Sequence, residues 1–186
     1  MTLGPVYKVE AIVLARKNSG EADRILTIFT KQYGKLRSLA KGIRRLTSRR
    51  APHAEIFSRV TMMLRHSKTN LDLVGEIEAL ENYQNLRQDL HKVSTAYYIC
   101  ELVDRLLPEK QEHRDVYELL ASNLDKLNGG NLDNIDRLSN AFSVNLLRLL
   151  GFLAKDKTLK PIEAEHYIES LIERRLRTPK FIREIG

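Results

Sequence analysis

Hydrophobic and polar residues alternate with a period of two through the first third of the chain, then recur every three or four residues through the rest. Tyr7, Val9, Ala11 and Val13 alternate with Lys8, Glu10, Ile12 and Leu14, which predicts a strand over residues 6–16. Asn18-Ser19-Gly20 is a turn cluster. From Arg24 to Lys31, Ile25, Thr27 and Phe29 alternate with Leu26, Ile28 and Thr30, and β-branched residues dominate the run. Tyr33-Gly34 turns the chain into Lys35–Lys41, where Leu36, Ser38 and Ala40 oppose Arg37, Leu39 and Lys41. After a loop with Gly42, Arg44, Arg45 and Pro52, residues 56–66 alternate again. There Val60, Met62 and Leu64 share one face; Arg59, Thr61 and Arg65 share the other. Leu71, Leu73, Val74 and Ile77 close the set, with Gly75 marking a candidate bulge. Five short strands in about 80 residues predict a partly open barrel of the OB type, because closure removes exposed edges.

Beyond residue 82 the period is helical. Val93, Ala96, Tyr97, Cys100, Val103 and Leu107 form one stripe, ended by Pro108. Val116, Leu119, Leu120, Leu124 and Leu127 form the next, stopped by Gly129-Gly130. Asn131 or Asp133 can cap a third helix, whose stripe is Ile135, Leu138, Phe142, Leu146 and Leu149. Its second half, Val144 to Leu153, is apolar nearly all round and predicts burial inside a bundle. Pro161 suits the first turn of a fourth helix carrying Ile168, Leu171, Ile172 and Leu176. Thr178-Pro179 ends it, and Phe181, Ile182 and Ile185 can dock. The predicted architecture is therefore α+β in two parts: an OB-type nucleic-acid-binding domain over residues 1–80, then an all-α helical domain over 81–186.

Charge sharpens this division. The 186-residue chain has a formal net charge of +7. Residues 1–70 hold 15 Lys and Arg against 4 Asp and Glu, a net of +11; residues 71–186 hold 16 against 20, a net of −4. No acid lies between Asp23 and Glu55. Like charge at this density repels itself, and a phosphate-binding surface is one reason to keep it; a solvated basic face is the plain alternative. Arg24, Lys31, Lys35, Arg37, Lys41, Arg44, Arg45, Arg49 and Arg50 are the candidate contacts to a nucleic-acid backbone, with Arg65 in second rank. Phe29 and Tyr33 are candidates for stacking on bases, although Phe29 reads better as a core aromatic. With no Trp and 6% aromatics, binding should be mainly electrostatic and sequence-tolerant. A second basic cluster, Arg174, Arg175, Arg177, Lys180 and Arg183, either complements a helix C-terminus or serves a partner or accessory DNA.

Other chemistries find little support. The single cysteine, Cys100, lies on an apolar stripe, and one Cys cannot build a disulfide framework or a thiolate zinc site. The five histidines are scattered; Glu163-x-x-His166 has metal-pair spacing but lacks the further ligands of a di-iron site. Gly34-Lys35 lacks the spacing of a phosphate-binding loop. Asp23 and Glu55 are the only carboxylates near the basic loop and suit ion pairing better than metal binding. We expect neither an enzyme nor a bound cofactor or metal. The composition, 42% hydrophobic and 30% charged, with no long apolar run or signal-peptide pattern, predicts a soluble cytoplasmic chain that makes no membrane contact.

The ordered segments Gly20-Glu21-Ala22-Asp23-Arg24-Ile25-Leu26, Phe29-Thr30, Tyr33-Gly34-Lys35-Leu36 and Ala40-Lys41-Gly42-Ile43-Arg44-Arg45 resemble the N-terminal domain of the RecO family of bacterial recombination mediators and DNA repair proteins. Ala96-Tyr97-Tyr98, Glu101-Leu102, Leu106-Leu107-Pro108-Glu109, Leu149-Leu150-Gly151-Phe152 and Lys180-Phe181-Ile182-Arg183-Glu184 follow in family order. The resemblance implies binding of single- and double-stranded DNA and annealing of complementary strands. It also implies action with RecR to load RecA onto DNA covered by the single-stranded DNA-binding protein, whose acidic C-terminal tail is recognised. A nucleoid-associated place in the cytoplasm would follow. RecO proteins typically carry an insertion after the Leu-Gly-Phe segment, often with four zinc-binding cysteines. Here Leu153 to Lys160 joins Phe152 to the last helix without a cysteine, so no zinc site is carried over. The competing reading is a generic OB-fold binder of single-stranded RNA or DNA whose helical part serves dimerisation or docking.

Overall fold

The structure, a computed structural model, describes residues 4–129 and 135–176. Five strands form in the first part: β1 (Val6–Ser19), β2 (Asp23–Thr30), β3 (Gly34–Ala40), β4 (Arg59–Arg65) and β5 (Asp72–Glu81). They close in the order β1-β2-β3-β5-β4, with β1 pairing to both β2 and β4 and a short parallel contact joining β3 to β5. This is the expected five-stranded OB-type arrangement. Four helices follow: α1 (Leu90–Leu106), α2 (Arg114–Asn128), α3 (Ile135–Leu149) and α4 (Pro161–Ile172).

The chain divides into two compact units. One holds the described residues through Asn82 together with Leu107–Tyr117; the other holds Tyr83–Leu106 and the residues from Glu118 onward. Reading along the chain assigns Leu107–Tyr117 to the helical part, but local contacts tie it to the barrel. The Lys110 N–H donates to the Lys35 carbonyl at 2.9 Å. Tyr117 lies against Phe29, ring centroids 5.9 Å apart, and its hydroxyl bonds Glu10 at 3.1 Å.

The barrel core follows from the period-two pattern, because one buried face fixes register. Val9, Ala11, Val13, Leu26, Ile28, Leu36, Ala40, Val60, Met62, Leu64, Val74 and Ile77 form it. β4 alternates as the sequence predicts. β1 does not alternate throughout: Ala11, Ile12, Val13 and Leu14 are all buried, and the β1–β2 register shifts between Val13 and Ala15. That bulge inverts the side on which every later β1 residue lies.

In the helical unit, α1 packs against α3 and α4. Burial therefore extends around α1 beyond the predicted stripe. Tyr98, Ile99 and Leu102 are buried, whereas Tyr97, placed on the apolar stripe from its spacing, is 43% exposed. The Tyr98 hydroxyl meets that of Ser143 on α3 at 3.0 Å, and burial raises its pKa. Cys100 is buried and its thiol is pushed far up by desolvation, as suits a structural cysteine. The Val144–Leu153 stretch is less enclosed than its composition predicts: α3 ends at Leu149, which is exposed, as is Phe152 beyond it. Glu163 of the Glu-x-x-His pair accepts the Lys160 N–H at 2.8 Å, so its carboxylate serves the start of α4. The predicted caps Asn131 and Asp133, the stop at Gly130, and the segment from Thr178 to Ile185 lie outside the described residues.

Candidate nucleic-acid interface

Residues directly opposite in a sheet share a face. Lys17 pairs with Ile25 and Ile25 with Leu39; Ala15 pairs with Thr27 and Thr27 with Arg37; Ile12 pairs with Phe29 and Phe29 with Lys35. These nine form the outer face of β1–β2–β3, because the intervening Leu26, Ile28, Leu36 and Ser38 point into the core. The face is graded. At one end Lys17 and Arg37 are exposed around half-buried Ile25, Thr27 and Leu39. At the other, Ile12, Phe29 and Lys35 are buried. Lys41, exposed, follows directly after β3 at the open end.

The loop between β3 and β4 begins there. The Gly42 N–H donates to Asp23 Oδ1 at 2.7 Å, the Arg44 N–H to the Ala22 carbonyl at 2.9 Å, and Arg44 Nη1 to the Gly20 carbonyl at 3.2 Å. The loop is thus laid along the β1–β2 turn. Arg50 braces its far side, donating to the carbonyls of Lys41 at 2.7 Å, Gly75 at 3.0 Å and Val74 at 3.2 Å. Arg44, Arg45 and Arg49 are exposed along it, with Leu46 between them.

The predicted cations therefore separate into groups. Lys41, Arg44 and Arg45 lie at the Arg24–Ala40 end of the β2–β3 ladder, Arg49 follows on the same loop, and Arg37 stands at the ladder's midpoint. Lys31 lies at the other end, where its ammonium sits over the Tyr117 ring, 5.9 Å from the centroid. The ladder runs from Arg24–Ala40 to Thr30–Gly34, so the ends are about 20 Å apart. Arg65 ends β4, on a different part of the barrel wall.

Four expectations are corrected. Lys35 is 8% exposed, covered beside the Glu109–Gln111 segment, and is no surface phosphate ligand. Arg50 is committed to three carbonyls, because a guanidinium is the donor group best shaped to tie several backbone oxygens. Arg24 is largely buried and pairs with Glu55 at 3.6 Å; Arg16 pairs with the same carboxylate. Phe29 is fully buried against Tyr117 and offers no face to a base. Tyr33, by contrast, is 48% exposed.

Lys17 was missed. Unbroken alternation in β1 puts it on the core side, and only the bulge carries it outward. The signal was present in the three consecutive apolar residues Ile12-Val13-Leu14, which a half-buried strand does not need.

In the helical unit, Arg174 and Arg175 are exposed just beyond α4; Arg177, Lys180 and Arg183 lie outside the described residues. A cleft of about 690 Å³ is lined by Arg105, Leu106, Phe152, Leu171, Ile172 and Arg174, with Glu173 beside them. It combines apolar walls with two guanidinium groups.

Among the described residues no cluster of His, Cys, Asp and Glu has the makings of a metal site, and no helix is long and apolar enough to cross a membrane.

Comparison with known proteins agrees with this architecture. The family described as "Recombination protein O N terminal" matches residues 1–83, and "Recombination protein O C terminal" matches residues 87–154. "DNA repair protein RecO" of Roseiflexus sp. is 40% identical over 147 residues, covering 79% of this chain and 50% of that protein. The protein of the same name from Symbiobacterium thermophilum is 37% identical over 147 residues, covering 79% and 57%. That from Geobacter metallireducens is 38% identical over 145 residues, covering 78% and 58%. The chain thus spans little more than half the length of these relatives.

Proposed function

The chain belongs to the RecO family, and on that premise we propose that it is a DNA-binding recombination mediator that anneals complementary single strands. With RecR it helps RecA onto DNA covered by the single-stranded DNA-binding protein. Its work is binding, without catalytic turnover.

The observation that carries this reading is the exposed strip of Lys17, Arg37 and Lys41 beside the braced loop with Arg44, Arg45 and Arg49. OB barrels take a strand across the face of strands 2 and 3, which here carries Arg37 and is flanked by Lys17 on β1 and by Lys41 and the loop arginines after β3. Complementary strands repel through their phosphates, and a surface that neutralises both brings them together without reading bases. Ile25, Thr27 and Leu39 supply an apolar floor between the cations. About 4–6 phosphate contacts give a salt slope of about −3 to −4 on single strands.

The cleft of the helical unit suits the acidic tail of the single-stranded DNA-binding protein. Arg105 and Arg174 would meet its carboxylates, and Phe152 and Leu171 its apolar side chains.

The deciding experiment is annealing of strands precoated with the single-stranded DNA-binding protein, with and without RecR, across a salt series. Annealing that RecR modulates and salt weakens is expected. Failure to anneal or to bind RecR, with RNA bound better than DNA, would instead favour a generic single-strand binder. A flat salt slope would sink the electrostatic account.

A further inference from the structure

A cavity of about 580 Å³ lies in the barrel unit away from the cationic strip. Tyr7, Tyr33, Leu36, His66, Asp72 and Lys110 line it. They belong to the start of β1, the β2–β3 turn, β3, the residue after β4, the start of β5 and the Leu107–Tyr117 segment. By the β2–β3 register this is the Thr30–Gly34 end of the ladder, opposite the arginine loop.

We propose that this cavity receives one unpaired nucleobase of a bound DNA strand, an inference that rests on the DNA-binding reading above. The lining has the chemistry of a flat heteroaromatic ring. Tyr7 and Tyr33 stand nearly perpendicular, at 74° with centroids 5.3 Å apart, so a planar guest can lie on one ring and meet the edge of the other. Leu36 adds apolar surface.

The rings are held in place. Asp72 is nearly buried and accepts from both sides: the Tyr7 hydroxyl bonds Oδ2, and His66 Nδ1 lies 3.1 Å from Oδ1. Burial and the Asp72 contact both keep the Tyr7 phenol protonated, so this anchor is stable near neutrality. His66 is 61% exposed in its side chain and keeps its second ring nitrogen for the guest. A preorganised aromatic site loses little entropy on binding.

The charge pattern argues against a phosphate inside. Asp72 and Glu112 line the cavity beside Lys110, so its lining carries no excess of positive charge to hold a phosphate. Lys110 is exposed as well as lining the cavity, and the exposed Lys68 follows His66 closely in the chain, so both can meet the strand's backbone beside the bound base. A base in a duplex is stacked and paired, and reaching this cavity would cost its unstacking. The cavity therefore selects unpaired strands, whereas the cationic strip accepts any backbone.

The test compares an oligothymidylate strand with one of equal length carrying abasic residues, which keeps the phosphates and removes bases. The protein is expected to bind the intact strand about tenfold more tightly, the discrimination that one stacked base supplies. Tyr33→Leu should abolish that preference, and Tyr33→Phe should keep it. Tyr33 is half-exposed in a turn, so neither change endangers the core. His66→Ala is the second variant and should weaken the preference without abolishing binding. The salt slope should be the same for all four proteins. Equal affinity for both strands, or a preference that survives Tyr33→Leu, overturns the inference while leaving DNA binding intact. Failure to bind either strand, or a flat salt slope, overturns the DNA-binding reading and this one with it.

Discussion

Replacing Gly34 by alanine should cost far more than replacing Gly20, although both glycines have positive φ. Gly34 has φ +69° and Gly20 φ +59°, so each substitution incurs left-handed strain of about 1–2 kcal/mol. The surroundings differ. Around Gly20 nothing lies within 4 Å of the added Cβ. At Gly34 the Cβ would stand 1.8 Å from the Gln111 carbonyl oxygen and 2.5 Å from its carbon. Backbone cannot yield as a side-chain tip does. The Gln111 segment must shift, and with it the Lys110–Lys35 hydrogen bond. Overpacking adds about 1–3 kcal/mol, which puts Gly34→Ala at about 2–5 kcal/mol against about 1–2 for Gly20→Ala. Urea unfolding followed by circular dichroism measures both. At a slope of about 2 kcal/mol/M, Gly34→Ala lowers the midpoint by about 1–2.5 M and Gly20→Ala by under about 1 M. Limited proteolysis adds a local readout, because a displaced Leu107–Tyr117 segment becomes cleavable. Equal midpoint shifts for the two variants would refute the collision argument and leave only backbone strain.

Four further predictions follow from the geometry. Arg50→Ala should destabilise by about 1–3 kcal/mol, because three carbonyls lose their donor. The exposed Arg49→Ala should leave the melting temperature nearly unchanged and lower the salt slope of DNA binding by about 0.7. For pH, burial first and Asp72 second raise the Tyr7 phenol above its ordinary 10.0, and burial raises Tyr98 likewise. The folded state then holds these protons more tightly than the unfolded chain. Their stability is fully present below about pH 10 and falls as pH rises beyond it, and Tyr7→Phe should flatten part of that alkaline decline in urea midpoints. Cys100 should resist a thiol reagent in the folded protein and react at the unfolding rate, since its thiol is buried and stays protonated.

The strands were legible because a barrel wall buries one face, and a one-residue slip would expose the whole core set. β4 follows that rule residue by residue. β1 escapes it at the bulge after Val13, and everything downstream changes side, which is how Lys17 was hidden. The helices were legible as elements but not in orientation. Tyr97 and Tyr98 are neighbours in sequence, and which one faces the core depends on α3 and α4. Nonlocal contacts were illegible altogether: nothing near Gly34-Lys35 announces that Leu107–Tyr117 returns to cover it.

That last contact changes what the basic sequence means. A run without acids from Arg24 to Ala54 reads as one cationic surface. In the fold its members do different things. Glu55 pairs with Arg24 and Arg16, backbone carbonyls hold Arg50, and Lys35 lies beneath a returning segment. These charges are partnered by the protein or enclosed by it. Arg37, Lys41, Arg44, Arg45 and Arg49 stay exposed, with Lys17 joining them from β1. Their mutual repulsion is a standing cost that a polyanion removes. The arginines held by the protein make this possible, because Arg50 and Arg44 fix the loop that displays the others. One residue type thus supplies both the brace and the binding surface, and Arg44, exposed while one guanidinium nitrogen holds the Gly20 carbonyl, serves as both.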